Sequence, residues 1–88
     1  MQILFEESFE KDLKKIKNKK IKEKFKQIIA DIKISSNISE IRNLKKLKEH
    51  KSYFRIRIGE YRIGMEIIKD KVIFTRFLHR KDIYKYFP

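Results

Sequence analysis

The stretch Tyr53-Phe54-Arg55-Ile56-Arg57-Ile58-Gly59-Glu60-Tyr61-Arg62-Ile63 carries arginines at a spacing that a sheet can gather onto one surface. Tyr53–Ile58 alternates strictly, with Phe54, Ile56 and Ile58 on one face and Tyr53, Arg55 and Arg57 on the other. Gly59–Glu60 has the composition of a two-residue type II′ hairpin turn, glycine first. That turn sets Arg57 opposite Arg62, Ile56 opposite Ile63, Arg55 opposite Gly64 and Tyr53 opposite Glu66, and directly opposed residues share a face. Arg55, Arg57 and Arg62 are therefore expected together, away from the apolar side. Like charges opposed across a ladder cost a few tenths of a kcal/mol up to ~1 kcal/mol. Glu66 is the nearest acid on that face and relieves only part of the repulsion. Such a surface suits a phosphodiester and, with tyrosines beside it, a stacked base. The competing reading is a strand face that is charged because it meets water.

The whole chain is basic: Lys plus Arg is 24 against 12 for Asp plus Glu, a formal charge of +12 over 88 residues. An excess of this size concentrates polyanions, of which nucleic acid is the commonest in a cytoplasm. Lysine dominates Lys11–Lys33, which holds no arginine, and the arginines (Arg42, Arg55, Arg57, Arg62, Arg76, Arg80) all lie in the second half. In a lysine-biased chain these planar, bidentate phosphate binders are the better functional candidates. The absence of cysteine excludes a disulfide-stapled scaffold and any thiolate metal site. No His/Asp/Glu spacing resembles a metal site, and no cofactor is expected. The apolar runs are short, no signal-peptide pattern opens the chain, and a cytoplasmic single domain over residues 1–88, without membrane contact, is expected.

The elements that must hold the arginines follow from the hydrophobic periods. Gln2–Glu6 reads as a short strand. Ser8 is an expected N-cap, with Phe9, Leu13 and Ile16 forming a helical stripe behind it. Asn18 breaks the chain before a longer amphipathic helix marked by Ile21, Phe25, Ile28, Ile29 and Ile32 and ended by Ser35-Ser36-Asn37. Leu44 and Leu47 lie in a short extended segment, and His50-Lys51-Ser52 is a loop, its histidine read as structural or incidental. Tyr61–Ile68 returns the hairpin, Lys69-Asp70-Lys71 turns again, and Val72–Leu78 is the next strand. A short helix or irregular tail follows. The expected class is α+β, a helical hairpin laid on one face of an antiparallel sheet.

The same residues carry a family resemblance. The Tyr53–Ile63 run, followed by Phe77-Leu78-His79-Arg80-Lys81-Asp82-Ile83-Tyr84, resembles the core of the RelE/ParE superfamily of toxin–antitoxin toxins. Phe9-Glu10-Lys11-Asp12-Leu13 and Leu44-Lys45-Lys46-Leu47 are similar to its opening helix and second strand. The resemblance covers nearly the whole chain. It implies a microbial RNase fold: two N-terminal helices packed on a four-stranded antiparallel sheet, with a short C-terminal element near the active site. It also implies metal-independent cleavage of mRNA on the ribosome. The functional positions then fall on Arg55 and Arg57, the return-strand Arg62, Arg80 after the last strand, and Tyr84. Family members of RelE type have lysines where Arg55 and Arg57 stand. Arginine stays protonated, so the base role is open at these positions.

The implied reaction is attack of a ribose 2′-OH on the adjacent phosphorus, giving a 2′,3′-cyclic phosphate and a 5′-OH. It needs charge stabilisation of a phosphorane, a proton acceptor and a proton donor. The arginines supply the first; Glu66, His79 and Tyr84 are the titratable candidates for the others. Lys20, Lys22, Lys24, Lys26 and Lys33 of the second helix are expected to meet rRNA phosphates without reading sequence. A cognate acidic antitoxin, extended or helical and partly disordered alone, is the expected partner and the main route to oligomers. Two rival functions stand beside the nuclease: a ParE-like poison of DNA gyrase, and a basic nucleic-acid-binding module without turnover.

Overall fold

The computed structural model describes residues 1–88. In chain order the elements are β1 (Gln2–Phe5), α1 (Glu7–Lys15), α2 (Lys19–Ile34), a 3-10 turn at Ile38–Glu40, β2 (Leu44–Lys46), β3 (Tyr53–Ile58), β4 (Tyr61–Ile68), β5 (Lys71–His79) and α3 (Ile83–Tyr86). The strands form one sheet in the order β1-β5-β4-β3-β2. It has five strands, not four, and it is mixed: β1 runs parallel to β5, from Gln2 opposite Lys71 to Phe5 opposite Phe74. The expected α+β class holds. The extra strand arises because Ile3 and Phe5 alternate onto the core side, where Phe5 stacks on Phe74 with ring centroids 5.4 Å apart.

One face of the sheet carries the core. Phe9 of α1, with Ile21, Phe25 and Ile32 of α2, buries against Ile56, Ile58, Ile63, Met65, Phe74 and Phe77. Phe9 and Phe25 meet at 5.4 Å and both reach Phe77, so the two helices are pinned to β5 through one aromatic cluster. Asn18 caps α2, accepting from the Lys20 and Ile21 backbone N–H groups at 2.9 and 3.2 Å. Ser8 does not cap α1. The cap position is Glu6, whose own N–H still donates to Phe74 O at 2.9 Å, so β1 runs directly into the helix. Ser8 instead donates from Oγ to Thr75 O at 2.7 Å, tying α1 to β5.

Two irregularities decide which side chains face where. In the β3–β4 turn Gly59 sits at φ +55°, the conformation that glycine tolerates and that a type II′ turn asks of its first residue. Between β4 and β5, Gly64 pairs with Arg76 but Met65 pairs with Phe74, so Thr75 is an extra residue and β5 is bulged there. The bulge lets Phe74 and Phe77 both point into the core despite their odd spacing. It also sends Arg76 and Leu78, not His79, to the opposite face.

Candidate functional site

The β3–β4 register is the one the turn dictates: Arg57 opposite Arg62, Arg55 opposite Gly64, Tyr53 opposite Glu66. With Phe54, Ile56, Ile58 and Ile63 buried beneath the helices, the arginines occupy the far side of the sheet. Arg62 folds back over the turn, its guanidinium donating to the carbonyls of Gly59 at 3.0 Å and Tyr61 at 2.9 Å. Burial first, and then the charges of Arg57, Arg55 and Arg80, push its pKa below the ordinary arginine value; Tyr84 opposes the shift. Arg80 stands at the same end of the sheet. Its Nε meets Glu60 Oε2 at 2.7 Å and its N–H donates to Glu60 O at 2.8 Å.

Tyr84 reaches this face from α3. Arg55 donates to its hydroxyl, and the Arg55 guanidinium stands 5.3 Å from the ring centroid. Ile83 and Phe87 anchor the segment, 2% and 4% exposed, while Tyr84 and Tyr86 are open to solvent. Phe87 lies directly on Gly64, where a Cβ would come within 2.7 Å of its ring. Phe87 also meets Tyr53 edge-on at 5.6 Å, and Tyr86 packs under Arg76 at 5.5 Å. The segment thus crosses β4 on its one glycine-bare position, with a tyrosine held by an arginine on each side. Gly64→Ala should unseat Phe87 and cost up to ~3 kcal/mol, the burial of one aromatic side chain. Hydrogen exchange checks this: residues 83–87 lose protection while α2 keeps its own. Unchanged protection in the variant would show that the ring shifts at no cost.

Other expected site residues lie apart. Glu66 is four residues, about 13 Å of strand, from Arg62. Phe87 sits over Gly64 between them, and the Glu66 carboxylate accepts from Ser52 Oγ at 3.0 Å. His79 pairs with Tyr61 on the helix side of the sheet, ring centroids 5.7 Å apart, and its Nδ1 accepts from the Lys81 N–H at 3.2 Å. It precedes Arg80 in sequence but faces away from Arg55, Arg57 and Arg62. The α2 lysines do not form one face. At about 100° per residue, Lys20 and Lys24 flank the apolar stripe on one side and Lys22, Lys26 and Lys33 on the other. Glu23 lies between the two ridges, 3.9 Å from Lys26. All five lysines are exposed, on the layer opposite the arginines. Two groups that the sequence reading leaves aside join the arginine face. Lys45 of β2 lies directly opposite Arg55, and His50 lines a groove with Arg55 and Tyr84. The first was readable from the β2–β3 register once β2 is taken as a strand. No three His, Cys, Asp or Glu side chains converge as a metal site, and no helix is long and apolar enough to cross a membrane.

Comparison with known proteins places the chain in a family. The family of the ParE toxin of type II toxin–antitoxin systems, parDE, matches residues 3–84. Toxin RelE3 of Methanocaldococcus jannaschii is 44% identical over 89 residues, covering 100% of both chains. A chain of the RelB–RelE antitoxin–toxin complex from Methanococcus jannaschii superposes with a TM-score of 0.83 at 44% identity, over 97% of this chain and 99% of that one. The isolated E. coli RelE toxin, at 17% identity and a TM-score of 0.67 over 96% and 90% of the two chains, shares the fold. Sequence and fold agree along the full length, and the chain belongs to the RelE/ParE superfamily of toxins of type II toxin–antitoxin systems.

Proposed function

We propose that this toxin is a ribosome-dependent, metal-independent mRNA endoribonuclease that arrests translation. The observation that carries the reading is the Arg57–Arg62 opposition, with Tyr84 held on Arg55 beside it. Glu66 is engaged by Ser52 and Glu60 pairs with Arg80, so Arg55, Arg57 and Arg62 stand without a carboxylate partner. An unneutralised set of guanidiniums on a rigid sheet is pre-organised for the charge of a phosphorane. In this reading Arg57 and Arg62 hold the non-bridging oxygens of the scissile phosphate, and Arg80, paired with Glu60, borders them at the end of the sheet. The Tyr84 phenol, its oxygen already accepting from Arg55, stacks on or donates to the substrate. The arginines cannot accept the 2′-OH proton.

The partner in this reading is an acidic antitoxin; the relative from Methanococcus jannaschii is found in an antitoxin–toxin complex. Its binding to a chain of charge +12 would neutralise the toxin in the cytoplasm. The α2 lysines, on the layer away from the arginines, serve as contacts to rRNA phosphates while the arginine face meets mRNA.

Brief induction followed by primer extension on a reporter mRNA tests the reading. Cuts should fall at codons and vanish when the start codon is removed, whereas naked RNA in moderate salt is cut poorly. Equal cleavage of naked and translated RNA would remove the ribosome from the account. The matching family is that of a ParE toxin, which favours one second reading, poisoning of DNA gyrase. Gyrase-linked DNA breaks with intact mRNA would establish it.

A further inference from the structure

The chain has two histidines, and the fold puts them on opposite sides of the sheet. His79 sits with Tyr61 on the helix side. His50, in the loop between β2 and β3, lines a groove of about 360 Å³ whose other walls include Lys45, Lys48, Arg55, Tyr84 and Phe87. This volume lies within the roughly 300–1,000 Å³ of sites that hold small ligands.

The groove's charged side chains are all cationic. Lys45 lies directly across the ladder from Arg55, so two like-charge pairs, Lys45–Arg55 and Arg57–Arg62, stand on adjacent strand pairs of the same face. Each such opposition destabilises the sheet. The chain has 12 acidic residues, yet none lines the groove. Glu49 adopts φ +65°, a conformation non-glycine residues seldom take, and the loop so formed brings Lys48 and His50 to the groove while leaving Glu49 outside it. The aromatic side is braced: His50 meets Tyr53 edge-on at 5.6 Å, and Tyr53 meets Phe87 in the same way at 5.6 Å. Cations along one wall and exposed rings along the other match what single-stranded nucleic acid asks of a protein, phosphate contacts plus a stacking platform.

We infer that this groove is a subsite for single-stranded RNA, seating the nucleotide next to the phosphate held by Arg57 and Arg62. Lys45 and Lys48 meet its phosphate, and Tyr84 and His50 flank its base. The inference rests on the reading of the arginine face as an RNA site. It extends that face across β2 and the β2–β3 loop.

A 2′-O-methyl RNA hexanucleotide, which lacks the 2′-OH and cannot be cut, tests it on the free protein at low salt. The imidazole carbon–proton NMR signals report each histidine separately. His50 signals should shift on titration and His79 signals should stay. Lys45→Ala/Lys48→Ala should lower the slope of log affinity against log salt by about 0.7, the value for one lost single-strand phosphate contact. Lys14→Ala/Lys17→Ala, with the same change in charge on the helix side, should leave the slope unchanged. Signals of His79 moving in place of His50, neither ring responding, or equal slope changes in both double variants would each overturn the subsite. The primer-extension result is independent. A responding His50 with uncut mRNA keeps the subsite and removes the nuclease, and cut mRNA with a silent His50 does the reverse.

Discussion

Cells producing the Arg57→Ala variant should keep growing at an expression level at which the parent chain arrests them, and the variant should not be less stable. Arg57 is exposed and stands directly across the ladder from Arg62. Removing it abolishes one phosphate ligand and also relieves a like-charge opposition of roughly 0.2–1 kcal/mol. For a domain of this size that corresponds to a rise of about 1–8 °C in melting temperature. Alanine is a poorer strand residue than arginine, so Arg57→Thr gives the cleaner melting comparison. Arg62→Ala should be equally harmless to cells but gain no stability, because its guanidinium also holds the Gly59 and Tyr61 carbonyls. Melting curves and growth curves read the two effects separately. A fully toxic Arg57→Ala chain would show that the opposed arginines are not where the substrate phosphate sits.

The arginine face was legible because every step towards it is local. A glycine-first turn fixes a register, and the register fixes parity along both strands. Local rules do not reach the far side of β4. The extra residue at Thr75 carries no glycine or proline to announce it, and the odd spacing of Phe74 and Phe77, its one trace, is blurred because Ile73 and Leu78 are apolar as well. Glu66 was placed on the correct face, but Phe87, arriving from the end of the chain, occupies Gly64 and stands between Glu66 and Arg62. Contacts of that sequence separation leave no periodic trace. The parallel pairing of β1 with β5 is hidden for the same reason, since its partner lies at the other end of the chain. The lysines of α2 were legible as exposed residues. Their division into two ridges needed only the helical angle, which the composition of the segment had masked. Asp12 is a different case: it lies three residues after Phe9, beside Leu13 on the apolar stripe, where a carboxylate is out of place, yet the sequence reading gave it no role.

Asp12→Ala should destabilise the chain by about 3 kcal/mol, although the substitution removes no apolar side chain. Asp12 is 6% exposed and stands where β1 has ended and the outer edge of β5 has no strand to pair with. Its Oδ2 accepts from the Phe77 backbone N–H at 3.0 Å and from Arg76 Nε at 2.8 Å, and its Oδ1 accepts from the Arg76 guanidinium at 3.1 Å. That bond to Asp12 is the main reason the Arg76 pKa lies above the ordinary arginine value. Truncation leaves a buried N–H without an acceptor and a cation without its partner; breaking such a pair typically costs 3–5 kcal/mol. The lower end applies because the Arg76 side chain keeps 24% of its exposure and can reach water. At 4–8 °C per kcal/mol the melting temperature falls by about 12–24 °C, a large fraction of what a domain of this size can lose. Asp12→Asn, which keeps an acceptor for Phe77, should lose less. Adding Arg76→Met to Asp12→Ala should recover part of the loss, since it removes the stranded cation, and that non-additivity is the signature of a direct pair. A melting temperature within 3 °C of the parent for Asp12→Ala would show that water satisfies the β5 edge and that α1 is held by its aromatic contacts alone. Because Arg76 also lies over Tyr86, the same variant should loosen α3 and, with it, the hold on Tyr84. A carboxylate on the helix side of the sheet is in this way coupled to the surface on which the substrate is read.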